Sequence, residues 1–208
     1  MIKKVIFDID NTLIDFPTYY EVEFKKVIDK YNLDITAKEL YDAIGTYEYD
    51  KNNMYYDKGK LLDTINKELN TKLDVNFMND FFSIYKKLIT PVPKETIETL
   101  KYLKGKYSLS ILSNWFTDCQ KLRLKEAGIL KYFDEIFGTD IIPMKPRKEC
   151  FMKVIGNLKP EECVMIGDNL NVDIKTPYEM GMNVFHLNKC GTSKYPTIKK
   201  LEDLKEML

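Results

Sequence analysis

Lys3 to Thr12 reads KKVIFDIDNT. Val5, Ile6 and Phe7 are β-formers in an unbroken apolar run, and the run stops abruptly at Asp8. A strand buried on both faces of a parallel sheet has this pattern, with polar residues gathered at its C-terminal end. Four later stretches repeat it. Ser108 to Leu112 runs into Ser113-Asn114. Asp134 to Phe137 runs into Gly138-Thr139-Asp140. Cys163 to Ile166 runs into Gly167-Asp168-Asn169. Asn183 to Leu187 runs into Asn188.

Helical patterns lie between these strands. Pro93 to Lys104 spaces Ile97, Leu100 and Leu103 three to four apart, with Pro at the first helical position and Gly105 as the stop. Asp118 to Ala127 stops at Gly128, and Lys148 to Ile155 stops at Gly156. Thr176-Pro177-Tyr178-Glu179 has capping-box form, which predicts a helix starting near Thr176. Strands alternating with helices predict an α/β fold: a Rossmann-like parallel sheet core flanked by helices. Its ligand site is expected at the carboxyl ends of the strands.

Asp15 to Thr90 lacks any buried-strand run. YYEVEFKKVIDKY, AKELYDAIGTY, KGKLLDTINKEL and NFMNDFFSIYKKL all carry helical apolar spacing, punctuated by Gly45 and the polar cluster Asp50–Asn53. The expected organisation is a core of residues 1–14 and 91–208 with an all-helical cap domain, 15–90, inserted after the first strand. About 130 core residues plus a lid account for the 208.

Composition narrows the function. A hydrophobic fraction of 44% and a charged fraction of 31% are those of an ordinary globule. The net charge of zero argues against binding nucleic acid polymers or an anionic membrane. The balance is uneven along the chain: 15–90 holds 11 Lys against 14 Asp+Glu. The start, MIKKVIFDID, has too short an apolar run for a secretory leader. No run approaches a membrane span. Cys119, Cys150, Cys163 and Cys190 show no CxxC, which suits reduced thiols in a cytoplasmic protein. His186, the only histidine, reads as a bland strand residue. Only Arg123 and Arg147 are arginines, so bidentate recognition of a second substrate anion is scarcely available.

The strand ends carry the chemistry. Asp8 and Asp10 repel each other unless a cation or proton lies between them. Asp168 and Asp173 add two carboxylates at another strand end. Four acidic groups in one cleft suit Mg²⁺. Lys145 and Ser113-Asn114 supply donors, and an acidic metal site with adjacent donors is what phosphoryl transfer needs. Each motif alone is weak. A D-x-D-x-T is otherwise a solvated strand end, and an Ser-Asn pair or a Gly-Asp-Asn is otherwise a turn.

The ordered set VIFDIDNTL, ILSN, MKP and IGDNLNVD resembles the haloacid dehalogenase-like superfamily of hydrolases, over essentially the whole chain. The helical insertion is similar to that family's first-position cap. The resemblance implies that Asp8 is the nucleophile, forming an aspartyl-phosphate that water then breaks. Asp10 matches the general acid/base, with its carbonyl on the metal. Thr12 shapes the turn. Ser113 matches the phosphate-binding hydroxyl, with Asn114 beside it, and Lys145 offsets charge on nucleophile and phosphate. Asp168 matches the direct Mg²⁺ ligand, completing a metal set of Asp8, Asp10 and Asp168. Asn169 and Asp173 match positions that hold the metal or its waters.

Dehalogenases of this superfamily lack the aspartate two residues after the nucleophile, so Asp10 favours phosphoryl transfer. The resemblance thus implies a phosphatase acting on a small phosphorylated metabolite, as a monomer or weak homodimer. A 5′-nucleotidase, a phosphatase for phosphoglycolate or a sugar phosphate, a sugar-phosphate mutase and a non-catalytic metal-binding member remain alternatives. Tyr19, Tyr20, Tyr47, Tyr49, Tyr55 and Tyr56 are candidate substrate contacts, with helix packing as the bland account of them.

Overall fold

The computed structural model describes residues 1–50 and 52–208. The Asp50–Asn53 punctuation therefore lies partly outside the described residues. Among these residues six strands form one sheet, in the order β3-β2-β1-β4-β5-β6. They are β1 (Lys4–Phe7), β2 (Ser108–Leu112), β3 (Glu135–Phe137), β4 (Cys163–Gly167), β5 (Asn183–Leu187) and β6 (Thr197–Ile198). Every pairing is parallel. Phe7 aligns with Ile111 on one side and Ile166 on the other, so β1, β2 and β4 end at one level.

β1 is central because it can be apolar on both faces. Val5 and Phe7 pack with Leu109, Ile111, Val164 and Ile166 under α5 (Lys94–Lys104) and α6 (Thr117–Glu126). Ile6 points the other way, onto Met165, Val184 and the Phe151 and Val154 side chains of α7 (Lys148–Ile155). Val5, Ile6 and Phe7 are fully buried, each stabilising the fold by about 1.5–3 kcal/mol.

Among the described residues four helices lie between β1 and α5: α1 (Tyr20–Lys30), α2 (Ala37–Glu48), α3 (Lys58–Leu69) and α4 (Val75–Tyr85). Their starts are set by side chains. Thr36 and Glu39 form a capping box for α2, and Asp57 and Asp74 accept backbone N–H groups at α3 and α4. Each cap contributes about 1 kcal/mol. The helices share a core of Phe24, Leu40, Leu61, Phe77 and Phe81, which continues into Trp115 and Phe116 just before α6. No helix among the described residues is long and apolar enough to cross a membrane.

Two local expectations are corrected. Gly105 ends α5 with φ −70°, an ordinary right-handed conformation, whereas Gly128 and Gly156 are left-handed as a glycine stop requires. The helix after β4 begins well before Thr176. Asn169 caps a π turn over Leu170–Ile174, which continues into α8 (Lys175–Glu179). Pro177 therefore stands inside a helical run, and having no backbone N–H it donates no ladder bond there.

Candidate functional site

The loops after β1, β2 and β4 converge at the carboxyl edge of the sheet. Asp8 follows β1 directly, and its N–H donates to the Ile166 carbonyl at 2.9 Å, so β4 fixes its backbone. Lys145 reaches this edge from the loop before α7. Its Nζ donates to Asp8 Oδ1 at 2.7 Å and to Asp173 Oδ1 at 2.6 Å. Asp8, Asp168 and Asp173 each offer a carboxylate oxygen, all within 4.8 Å of one another. Asp173 thus stands in the same cluster as Asp8 and Asp168, and is itself buried.

Ser113 and Asn114 follow β2. The Ser113 hydroxyl accepts from Gln120 Nε2 at 2.7 Å. The Asn114 amide clasps the backbone of Lys145: it donates to that residue's carbonyl at 3.0 Å and accepts from its N–H at 2.8 Å. Its side chain therefore holds Lys145 in place. Thr12 donates to Asp8 Oδ2 at 3.3 Å within the turn after β1. The Asn169 side chain accepts from Asn171 and Val172, and its backbone N–H donates to Asp173 Oδ2. That amide is occupied in capping.

Burial and mutual repulsion govern the electrostatics. Burial pushes the Asp8 carboxyl up to about 7 despite the attraction of Lys145. Burial and the charge on Asp8 push Asp168 up to about 6. Asp173 is raised too, chiefly by burial and against Lys145. Burial disfavours the charged form of Lys145, yet Asp173 and Asp8 more than offset this and hold it above its ordinary range. Four acidic side chains (Asp8, Asp10, Asp168, Asp173) face two cations (Lys145, Arg123), so acids outnumber cations by two. An oxygen-rich site with that deficit fits a hard divalent cation.

Asp10 is held from a quarter that the sequence left unread. Arg123 of α6 is fully buried and makes a two-pronged pair with it: Nη2 to Oδ1 at 2.7 Å, Nη1 to Oδ2 at 3.1 Å. The bidentate contact that Arg123 makes is inside the protein, to Asp10 and not to a substrate anion. The readable signal was composition: lysine supplies nearly every cation, and Arg123 sits in the middle of a helix. Gln120, three residues earlier on the same inward face, was also missed. So was Glu48 at the end of α2, a half-buried carboxyl pushed up to about 8 by burial and by nearby Asp10. His186 is more than a strand residue: its Nε2 lies 2.9 Å from the Asp168 carbonyl.

Among the tyrosines, Tyr47 and Tyr56 are core residues packed on each other. Tyr19 donates to the Ile89 carbonyl, while Tyr49 and Tyr55 are exposed. Cys119, Cys150 and Cys163 are buried thiols, and burial raises each, which makes them poor nucleophiles.

Gly167 closes β4 against the cluster. A Cβ there would lie 2.5 Å from the Cβ, Cγ and Oδ2 atoms of Asp173. Gly167→Ala is expected to displace Asp173 from Lys145 and to cost about 1–3 kcal/mol through overpacking. A thermal melt beside a Mg²⁺ titration checks this. Wild-type values in both would show that the cluster has slack.

A parallel sheet with an acidic, lysine-bridged cleft at its carboxyl edge defines an α/β protein of Rossmann-like class whose cleft suits a divalent cation. The chain belongs to the haloacid dehalogenase-like hydrolase family, whose model matches residues 2–180. It is 31% identical to the glyceraldehyde 3-phosphate phosphatase of Methanocaldococcus jannaschii, over 98% of this chain and 90% of that protein. It is 29% identical to the pyrophosphatase PpaX of Oceanobacillus iheyensis, over 81% and 75% respectively. By structure it is similar to the magnesium-bound HAD-hydrolase YfnB of Bacillus subtilis, with a TM-score of 0.77, 21% identity, and coverage of 100% and 98%.

Proposed function

We propose that this chain is a Mg²⁺-dependent phosphomonoesterase that works through an aspartyl-phosphate on Asp8. The observation that carries the reading is the Asp8 carboxylate, held by Lys145 at 2.7 Å beside Asp168 and Asp173, with Asp10 two residues on. Asp8, Asp168 and the Asp10 carbonyl would hold the ion, with Asp173 and Asn169 around them. When bound, it would offset charge on the transferring phosphoryl group.

The freer Asp8 oxygen attacks phosphorus as the bond to the leaving oxygen breaks. Asp10, in its protonated form, gives that oxygen its proton. Water then attacks the phosphoryl group, Asp10 takes the proton back, and the Asp8–phosphorus bond breaks to release phosphate. Lys145 and the Ser113 hydroxyl line the place where equatorial oxygens would sit. An alkoxide leaves poorly without a proton, whereas a halide needs none. The carboxylate at Asp10 therefore favours ester hydrolysis over dehalogenation.

Residues 15–90 act in this reading as the cap that selects a small phosphorylated metabolite and excludes water. Free thiols suit a cytoplasmic setting. The relatives named above act on a sugar phosphate and on pyrophosphate, which supports the phosphoryl chemistry and leaves the substrate to a panel. Release of phosphate from p-nitrophenyl phosphate and from a phosphoester panel tests the proposal. Turnover is expected with Mg²⁺ and is expected to vanish with EDTA. No metal-dependent turnover on any ester would sink it.

A further inference from the structure

Arg123 is the largest fully buried charged side chain, and none of the steps above uses it. Its surroundings define its task. Besides the two bonds to Asp10, Nη1 donates to Gln120 Oε1 at 2.9 Å and Nε donates to the Leu88 carbonyl at 3.0 Å. Four of the five guanidinium N–H donors are thus used on protein acceptors. The group is therefore not available to bind a substrate phosphate. A buried ion pair is also a poor way to add stability, since desolvation offsets most of the attraction.

What the fork does supply is direction. The Asp10 side chain is 31% exposed, so its carboxylate is otherwise free to turn toward solvent. A bidentate contact fixes both its position and its plane. Gln120 adds a third contact to Asp10 Oδ2 at 3.3 Å and, through the same Nε2, binds the Ser113 hydroxyl at 2.7 Å. One side chain thus links Asp10 to the residue placed to meet phosphate. On its far side, Arg123 lies under the Tyr85 ring, 5.8 Å from its centroid, at the end of α4. With Leu88 this ties Asp10 to the segment by which the helices return to the sheet.

We propose that Arg123 and Gln120 are a positioning pair that aims the Asp10 carboxylate at the leaving oxygen and registers it with the helical layer. This rests on the phosphatase reading. A misaimed acid hurts most where the leaving group needs its proton. The comparison is therefore kcat/KM for phenyl phosphate against p-nitrophenyl phosphate in the full chain with Mg²⁺, since kcat/KM reports the transition state relative to free enzyme and ester.

Arg123→Met is expected to lower kcat/KM about 10²-fold for phenyl phosphate and less than about 10-fold for p-nitrophenyl phosphate. Arg123→Lys, which keeps the charge and loses the fork, is expected to show the same slope at smaller amplitude. Circular dichroism checks folding. If Arg123→Met does not fold, Arg123→Lys and Gln120→Leu carry the comparison. In the background of Asp10→Asn, either Arg123 variant is expected to add no further loss, because both act on one step. Equal losses on the two esters, additive losses in the double variant, or an unchanged or raised rate on phenyl phosphate would overturn the pair's role. A wild-type chain inactive on both esters and on every ester of the panel would overturn the phosphatase reading and this inference together; an active one with parallel losses would overturn only the inference.

Discussion

Asp8→Asn is expected to reduce turnover by about four orders of magnitude or more, because the amide oxygen cannot form and release the phosphoryl bond. The variant is nearly isosteric, and its remaining oxygen can still accept from Lys145 Nζ, now 2.7 Å from Asp8 Oδ1. Stability should move the other way. Asp8 is a buried carboxyl pushed up to about 7, so its ionised form is disfavoured in the fold. Removing that charge relieves Asp173 and Asp168. The metal-free variant should therefore melt at or above the wild-type temperature at pH 8. Activity lost with the melt retained assigns Asp8 to the chemistry. Retained activity removes it from the nucleophile role, and activity and melt lost together would point to a structural part.

Lys145→Met is expected to have the largest effect on stability. Lys145 is the cation shared by Asp8 and Asp173, and it is buried with both. Breaking such a pair by removing one partner costs about 3–5 kcal/mol at pH 8, or about 6–20 °C for a chain of this size. The pH dependence has a definite sign. Asp8 rises from an ordinary 3.8 to about 7 on folding, and Asp168 to about 6. Between the unfolded and folded values the native state binds more protons, so stability falls as pH rises from about 4 to about 7 in the metal-free chain. Without Lys145 this slope should steepen. The variant's deficit should therefore shrink at pH 5, where the carboxyls carry protons, and also on adding Mg²⁺, which binds the native cluster. Melts at pH 5 and pH 8, with and without the ion, check this. An equal deficit at both pH values would mean that Lys145 serves as packing and not as a counter-charge.

Much of the fold was legible because its elements are locally specified. VIF and CVMI are apolar without alternation, as a strand covered on both faces requires, and SLSIL joins them as a short run of β-formers ending in Ile-Leu. Their parallel register then brings Asp8, Ser113 and Asp168 to one edge with no further information. Although their capping residues Thr36, Asp57 and Asp74 went unread, the four helices between 20 and 85 were legible from apolar spacing. The start of α8 was not, because Thr176 and Glu179 imitate a cap that Asn169 supplies seven residues earlier through a π turn. Strand β6 was missed because two residues carry no period.

At the site, the sequence by itself determined which carboxylates and which lysine share the cleft, since each stands at a strand end or in the loop that follows. Only the tertiary structure decided how they are divided between partners. It set Asp173 in one cluster with Asp8 and Asp168 and spent the Asn114 and Asn169 amides on backbone. It also gave Asp10 to Arg123, 113 residues away along the chain. The physical reason is range. Hydrophobic period and capping act within a turn or a strand, so they are written in adjacent residues. A buried ion pair depends on which polar face of α6 docks against the β1 loop, and that face is chosen by the packing of the whole core.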